Sequence, residues 1–275
     1  MLHGTDMSIV PHLDAGNSSL LGQTNFAHEI VGAAATEGRY LFVWGHGWGQ
    51  DRRAFFAWTQ SLSRNAAHLL LDFPGFGASG LPPDSWGTEQ YADAAADLIA
   101  KYDASQKVIW VGHSFGGRVG IQLAARHPDL LDGLVLISAA GLPRRRTPAQ
   151  AIRVRASILV FKSLKKIAQL VGYDQQKLYE RFGSADYRTA GPLRQVFLRV
   201  VNEDLTEPAR RIRCPVLLLY GQDDTETPPE LGQRLAQLIP KAQLSILPGQ
   251  DHYSVLAAGR HILIKRLSDF VDHLG

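Results

Sequence analysis

The sequence predicts an α/β fold in which a mostly parallel β-sheet lies between two layers of helices. Apolar runs of strand length recur along the chain, and segments with helical patterning lie between most of them. The runs lack the two-residue alternation of half-exposed strands, as is typical of strands covered on both faces. Regular alternation of strands and helices favours a parallel sheet over a sandwich or a helical bundle.

The strands are predicted from short apolar runs bounded by turn residues. They are expected at 40–45, 67–75, 107–112, 133–138, 215–221 and 242–249, with a less strongly patterned edge strand at "AHEIVGA". Helices are expected at 53–64, 88–103, 115–127, 229–239 and about 258–273.

One connection between consecutive strands, from Leu142 to Arg213, is too long for a loop of a compact domain. Its helical patterning and turn residues predict a structured helical insertion. The predicted organisation is therefore a core of residues 25–141 and 214–275 that is interrupted by a helical unit at 142–213.

Composition narrows the class of protein. Of the 275 residues, 45% are hydrophobic and 20% are charged, and no apolar run approaches the ~20 residues of a membrane-spanning helix. The first residues lack the cationic and apolar segments of a secretory signal, and the single Cys214 precedes a predicted strand. We expect a soluble protein in the reducing cytoplasm, and no nucleic-acid recognition motif accompanies the slight net charge of +3.

The segment "GHSFG" places Ser114 between Gly112 and Gly116, directly after one predicted strand and before a predicted helix. A sharp strand-to-helix turn with this spacing exposes a serine hydroxyl at the carboxyl edge of a sheet and is typical of a nucleophile. The alternative is a serine that only caps the helix.

A serine nucleophile needs a base and a residue that orients the base. His252 follows the last predicted strand and is the preferred base, whereas the side chain of His113 is expected to point away from the tight turn. His46 also ends a strand, but its glycine-rich surroundings indicate another role. Asp223 and Asp224 end another strand, and either could orient the histidine or cap the helix near Pro228.

Four motifs in this order resemble those of the α/β-hydrolase superfamily: "HGWG" (46–49), "DFPGFGASG" (72–80), "GHSFGG" (112–117) and "GQDDTETP" (221–228). The resemblance implies an eight-stranded, mostly parallel sheet with a helical cap inserted after the sixth strand. It also implies a triad of Ser114 as nucleophile, His252 as base and Asp224, rather than Asp223, as acid.

The same resemblance implies an oxyanion hole formed by the backbone N–H groups of Trp48 and Phe115. Such fixed donors stabilise the charge that develops on a carbonyl oxygen. The side chains of Trp48, Phe115 and Tyr253 are expected to line an apolar substrate pocket. No metal-ligand spacing, phosphate loop or dinucleotide fingerprint is present, so we predict neither a metal nor another cofactor.

The function expected from these residues is hydrolysis of a carboxylic ester with a small or medium acyl group, through an acyl-enzyme. Serine at position 114 speaks against haloalkane dehalogenases and epoxide hydrolases, which carry aspartate there. Hydrolases of carbon–carbon bonds in ring-fission products remain an alternative, although they commonly carry tryptophan where this chain has Tyr253. Amide or thioester hydrolysis, acyl transfer and a binding protein that has lost catalysis are further alternatives, and the sequence does not predict an oligomeric state.

The insertion is basic: residues 142–213 hold 16 Lys and Arg against 6 Asp and Glu, whereas the rest of the chain holds 13 against 20. Its first part sets apolar residues near one helical face, namely Ile152, Ala156, Leu159, Val160, Ile167 and Val171. One interpretation buries this face over the active site and turns the basic residues to solvent. The other is that the basic face attracts anionic substrates or rests on anionic lipid.

Overall fold

The computed structural model describes residues 26–32, 39–62, 66–102, 105–145, 148–170 and 185–274. Within these ranges one sheet of seven strands forms the centre, in the order β1-β3-β2-β4-β5-β6-β7, and only β1 is antiparallel to its neighbour. The strands are β1 (Ala27–Gly32), β2 (Tyr40–Gly45), β3 (Ala66–Asp72), β4 (Lys107–His113), β5 (Gly133–Ile137), β6 (Val216–Gly221) and β7 (Ala242–Leu247).

The apolar runs predicted as strands all form strands, with ends that shift by up to three residues. Strands β2 to β6 are buried along nearly their whole length, whereas the edge strand β1 is largely exposed and the edge strand β7 is mostly half-buried or exposed. The strand count differs from the eight implied by the resemblance, since the described residues contain seven. The insertion consequently follows the fifth described strand rather than the sixth.

Helices cover both faces of the sheet. They are a 3₁₀ helix (Arg52–Phe55), α1 (Phe56–Thr59), α2 (Thr88–Ile99), α3 (Phe115–Arg126), α4 (Pro148–Leu170), α5 (Ala185–Thr189), α6 (Arg194–Asn202), α7 (Thr206–Arg210), α8 (Pro229–Leu238), α9 (Ser254–Ala257) and α10 (Arg260–Asp272), with a further 3₁₀ turn at Gly191–Leu193. One apolar core joins the sheet to α2, α3 and α8, and the other joins it to α1, α9 and α10.

Alternate residues of each central strand belong to opposite cores. In β2, Leu41 and Val43 belong to the first core, and Phe42 and Trp44 belong to the second. Both faces of the strand are therefore covered by apolar side chains, which explains why its sequence is a continuous apolar run.

The strand order changes direction between β2 and β4. The chain passes from β2 outward to β3 and then returns to the other side of β2, so that β4 lies next to β2. In open α/β sheets, the loops at the carboxyl ends of the strands diverge at such a switch point and leave a crevice. The loops after β2 and β4 carry the predicted oxyanion loop and Ser114.

The first interpretation of the insertion is wrong for its long helix α4. Ile152, Leu159, Val160 and Ile167 are 54–68% exposed, and Ala156 is also exposed, although we expected this face to be buried over the active site. The opposite side of α4 faces the protein, where Ala168 is buried. Val171 lies outside the described residues.

Cys214 is buried before β6, and burial raises the pKa of its thiol to about 11. The thiol therefore stays protonated and acts as a packing group. Across the described ranges, every helix is too short or too polar to cross a lipid bilayer.

Candidate active site

Ser114 occupies a strained turn between β4 and α3. Its φ of 48° lies in the left-handed region, which a non-glycine residue seldom adopts. A Cβ on Gly112 would overlap the carbonyl group of Gly116, and a Cβ on Gly116 would overlap the carbonyl group of Gly45. The glycines on either side of Ser114 are therefore required so that three backbone segments can approach one another.

Two backbone N–H groups are available next to this turn. The N–H of Gly116 donates a hydrogen bond to the carbonyl oxygen of His46 at 3.0 Å, which fixes the loop after β2 against the start of α3. Phe115 is the first residue of α3, so its N–H has no acceptor within the helix. The N–H of Trp48 likewise has no partner among the described residues.

His46 holds the loop after β2. Its Nδ1 donates to the carbonyl oxygen of Gly47 at 2.7 Å, and its Nε2 accepts from the backbone N–H of Phe73 at 3.0 Å. Burial lowers the pKa of His46 to about 4, so the ring is neutral near pH 7. Both ring nitrogens are occupied by backbone groups, in keeping with the prediction that His46 is not the base.

The ring of His113 lies against the loop that carries His252. Its Nε2 lies 3.0 Å from the carbonyl oxygen of His252, to which it donates, and the two rings are 4.9 Å apart. Burial, followed by the proximity of His252, lowers the pKa of His113 to about 3. The neutral His113 therefore ties the loop of His252 to the end of β4.

Asp224 and His252 form a buried pair. Nδ1 of His252 lies 2.8 Å from Oδ2 of Asp224, whose Oδ1 accepts from the backbone N–H groups of Glu226 and Thr227 at 2.9 and 2.7 Å. Burial alone raises the pKa of Asp224, but the hydrogen bonds from His252 and Thr227 outweigh it and hold this pKa below its ordinary value. The ionised Asp224 places the imidazole proton on Nδ1 and leaves the lone pair of Nε2 free to accept a proton.

Asp223 lies on the surface, unlike its neighbour. Its backbone N–H bonds to the carbonyl oxygen of Gln250 at 2.9 Å, and its side chain is exposed. Of the two carboxylates that the sequence offered, the fold thus brings Asp224 to His252.

Thr227 is a neighbour of this pair that sequence reasoning missed. Its side chain is buried, and Oγ1 lies 2.8 Å from Oδ2 of Asp224, 3.1 Å from Nδ1 of His252 and 3.0 Å from the carbonyl oxygen of Ser138. A hydroxyl has one proton and two lone pairs, so Oγ1 can donate either to Oδ2 of Asp224 or to the carbonyl oxygen of Ser138 while it accepts from Nδ1–H of His252. In the sequence, only the position of Thr227 directly before Pro228 pointed to a role for this residue.

The structure does not join Ser114 to His252 by a hydrogen bond. Within the described chain the Ser114 hydroxyl is partly exposed and makes no hydrogen bond, and Nε2 of His252 lies 3.6 Å from Oε2 of Glu226. Catalytic hydrogen bonds are often long before substrate binds and tighten in the complex. The two loops are adjacent, because His113 beside the serine bonds the backbone of His252.

Tyr253 lies at the rim of the site and is 56% exposed. Its ring is 5.1 Å from that of His252. Partial burial, followed by the charge of Glu226, raises the pKa of Tyr253 to about 12. Tyr253 is thus neutral near pH 7 and places an aromatic ring next to the imidazole of His252.

An aromatic cluster surrounds Trp48 in the predicted oxyanion loop. The Trp48 ring packs against Phe76, Phe115 and Phe197 with ring centroids 4.9, 5.6 and 5.1 Å away, and each contact is edge-to-face. Phe197 belongs to α6, so the insertion contacts the predicted oxyanion loop directly. The sequence indicated Trp48 and Phe115 but not Phe197.

The insertion is also attached to the core by hydrogen bonds at the end of α6 and at the residue that follows it. Glu203 follows α6, and its carboxylate accepts from the backbone N–H of Thr88 at 2.9 Å at the start of α2. Arg199 donates to the carbonyl oxygen of Ser85 at 2.8 Å. These bonds fix α6, and with it Phe197, relative to the core.

The family model described as "Alpha/beta hydrolase family" matches residues 41–261. Among curated proteins, a pimeloyl-[acyl-carrier protein] methyl ester esterase of Chromobacterium violaceum is 29% identical over 77% of this chain and 87% of its own. A 2-(acetamidomethylene)succinate hydrolase of Mesorhizobium japonicum is 27% identical over 84% of this chain and 88% of its own.

Solved structures share the architecture. A thermophilic esterase from Thermogutta terrifontis is 22% identical with a TM-score of 0.66, over 94% of this chain and 96% of that one. The enol-lactonase from Burkholderia xenovorans is 23% identical with a TM-score of 0.66, over 90% and 97% of the two chains. At this identity the structures show the fold alone, and with the family match they confirm the predicted α/β-hydrolase fold.

Proposed function

Since the chain belongs to the alpha/beta hydrolase family, we propose that it is a serine hydrolase that cleaves carboxylic esters through an acyl-enzyme. The observation that carries the proposal is the buried pair of Asp224 and His252 on loops that adjoin the strained turn of Ser114. A serine that only caps α3 has no need of this pair, and the side chain of Ser114 makes no cap hydrogen bond.

In the proposed reaction, Oγ of Ser114 attacks the ester carbonyl carbon while Nε2 of His252 takes the hydroxyl proton. Asp224 stabilises the imidazolium that forms, without itself taking the proton. The C–O bond to the alcohol then breaks, and His252 returns the proton to the leaving oxygen. Water, activated by the same histidine, finally hydrolyses the acyl-serine and restores the free enzyme.

The backbone N–H groups of Trp48 and Phe115 are proposed to bind the oxyanion. Neither group has an acceptor among the described residues, and the hydrogen bond from Gly116 to His46 fixes their loops relative to each other. One such donor typically contributes about 3–4 kcal/mol to stabilisation of the transition state.

The proposed substrate is an ester with a small or medium acyl group. The half-buried ring of Trp48 packs on the buried rings of Phe115 and Phe197, and the exposed ring of Tyr253 lies next to His252, so apolar surface is available near the proposed site. The helical segment 142–213 is proposed to act as the cap of this pocket, because Phe197 of α6 packs on Trp48. The esterase and hydrolase activities named for the two curated relatives support hydrolysis as the reaction.

The function is tested with p-nitrophenyl esters of increasing acyl length, beside the matching p-nitroanilides and a ring-fission product. We expect ester turnover with a burst of nitrophenol as the acyl-enzyme forms, and the highest kcat/KM among short and medium chains. Turnover of the ring-fission product or the anilides with no ester turnover would contradict the proposal.

Thr227 is proposed to position the pair of Asp224 and His252. Thr227→Val keeps the shape but removes the hydroxyl that bonds Oδ2 of Asp224. Loss of a hydrogen bond to a buried charged group costs about 1–3 kcal/mol, so we expect kcat to fall roughly 5- to 150-fold with little change in KM. Steady-state kinetics on the best ester, at matched folded content, measures both parameters.

Thr227→Ser provides the matched control because it retains the hydroxyl, and it is expected to keep most of the activity. If the valine variant retained the kcat of the parent chain, Thr227 would have no positioning role. A loss in the serine variant alone would instead point to packing of the methyl group, which valine retains.

A further inference from the structure

Helix α4 carries an apolar stripe that faces away from the protein. At 100° per residue, the stripe covers about 100° of the helix surface. Its large side chains are 54–85% exposed and belong to Ile152, Leu159, Val160, Ile167 and Leu170, and the smaller Ala156 lies among them. The residues of α4 that turn toward the protein, Phe161, Leu164 and the buried Ala168, lie on the other side of the helix. We call the exposed stripe the α4 stripe.

Basic residues border the α4 stripe. Arg155, Lys162 and Lys166 lie along one border, Arg153 lies at the other, and all four are exposed. Helix α4 contains five Lys and Arg and neither Asp nor Glu. The helix therefore combines exposed apolar area with positive charge, and no acidic side chain of the helix neutralises that charge.

We propose that the α4 stripe docks on the surface of an anionic lipid bilayer. In this orientation α4 lies in the plane of the membrane, its apolar residues enter the boundary between head groups and acyl chains, and the basic residues contact lipid phosphates. Amphipathic helices with Lys and Arg beside an apolar face bind interfaces in this way. With 23 residues, α4 is about 35 Å long and offers an extended line of contact without crossing the bilayer.

Charge complementarity favours lipid over a second copy of the chain. Two α4 stripes packed together would bring ten cationic side chains close to one another, with no acidic residue of either helix between them. A bilayer with phosphatidylserine supplies the missing negative charge and an apolar interior in the same surface.

The test is co-sedimentation with vesicles of phosphatidylcholine alone and of phosphatidylcholine with 30 mol% phosphatidylserine, at low, physiological and high salt. We expect binding only to the anionic vesicles and a loss of binding at high salt, where charges are screened over ~3 Å. A Leu159→Ser, Ile167→Ser variant and an Arg155→Glu, Lys162→Glu variant should each lower the bound fraction at least tenfold at physiological salt.

The matched control is Ile262→Ser on α10, which removes an equally exposed apolar side chain far from α4 in sequence. This variant should bind vesicles like the parent chain. Circular dichroism and the Tm check that all variants fold, which is expected because every substituted side chain is exposed.

Equal sedimentation with both kinds of vesicle, or undiminished binding of the Leu159→Ser, Ile167→Ser variant, would overturn the proposal. Sedimentation velocity supplies another outcome: a dimer that this variant abolishes would assign the α4 stripe to a second copy and overturn lipid docking. No measurement here uses a substrate, so failure of the lipid proposal leaves the proposed esterase function untouched.

Discussion

Ser114→Ala is expected to abolish covalent labelling by a fluorophosphonate probe and to lower kcat by roughly four to six orders of magnitude. The reason is that the reaction loses the atom that forms the acyl-enzyme, while the backbone donors of Trp48 and Phe115 remain. The fold should persist, because the Ser114 hydroxyl makes no hydrogen bond in the described structure. Alanine keeps the Cβ, so the strained φ of 48° gains no new penalty.

Ser138 offers a matched control for this experiment. It is the other non-glycine residue of the described chain with positive φ, at 45°, and it also follows a strand. Its side chain is fully buried, and its hydroxyl has no hydrogen-bond partner in the described part of the chain. Ser138→Ala should therefore keep probe labelling and turnover, whereas undiminished labelling of Ser114→Ala would remove Ser114 as the nucleophile.

Asp224→Asn should lower kcat by roughly 10⁴-fold, by analogy with removal of the charge from a Ser-His-Asp triad. An amide in place of the carboxylate can offer its NH₂ group to Nδ1, which drives the imidazole into the wrong tautomer and places a proton on Nε2. That nitrogen then cannot accept the proton of Ser114. The amide also leaves the imidazolium of the reaction without the negative charge that stabilises it.

Asp223→Asn tests the choice between adjacent carboxylates. Asp223 is exposed, so its variant should retain activity close to that of the parent chain. Both variants are compared by kcat on the same ester at equal folded content. A larger loss in Asp223→Asn than in Asp224→Asn would show that the wrong carboxylate had been assigned.

The sequence by itself predicted the features that depend on local pattern. Apolar runs without alternation located the central strands, because a strand covered on both faces needs apolar residues at successive positions. The order of glycines around Ser114 predicted the strand-to-helix turn, since only residues without Cβ allow the backbones of Gly45, Gly112 and Gly116 to approach so closely. The resemblance to α/β-hydrolases selected Asp224 over Asp223, and the fold places Asp224 against His252, although the catalytic roles of both stay predictions.

The tertiary structure alone decided which distant side chains meet. The hydroxyl of Thr227 lies within hydrogen-bond distance of Asp224 and of the backbone of Ser138, and Phe197 packs on Trp48, because the carboxyl ends of separate strands and the insertion converge at one edge of the sheet. Helix α4 shows most clearly what sequence periodicity cannot predict. Its periodicity correctly set apolar residues such as Ile152, Leu159 and Ile167 on one side, but periodicity defines a face and not what covers it. Because the insertion contacts the core through α6, and α4 turns its other side to the protein, that apolar face lies open to solvent.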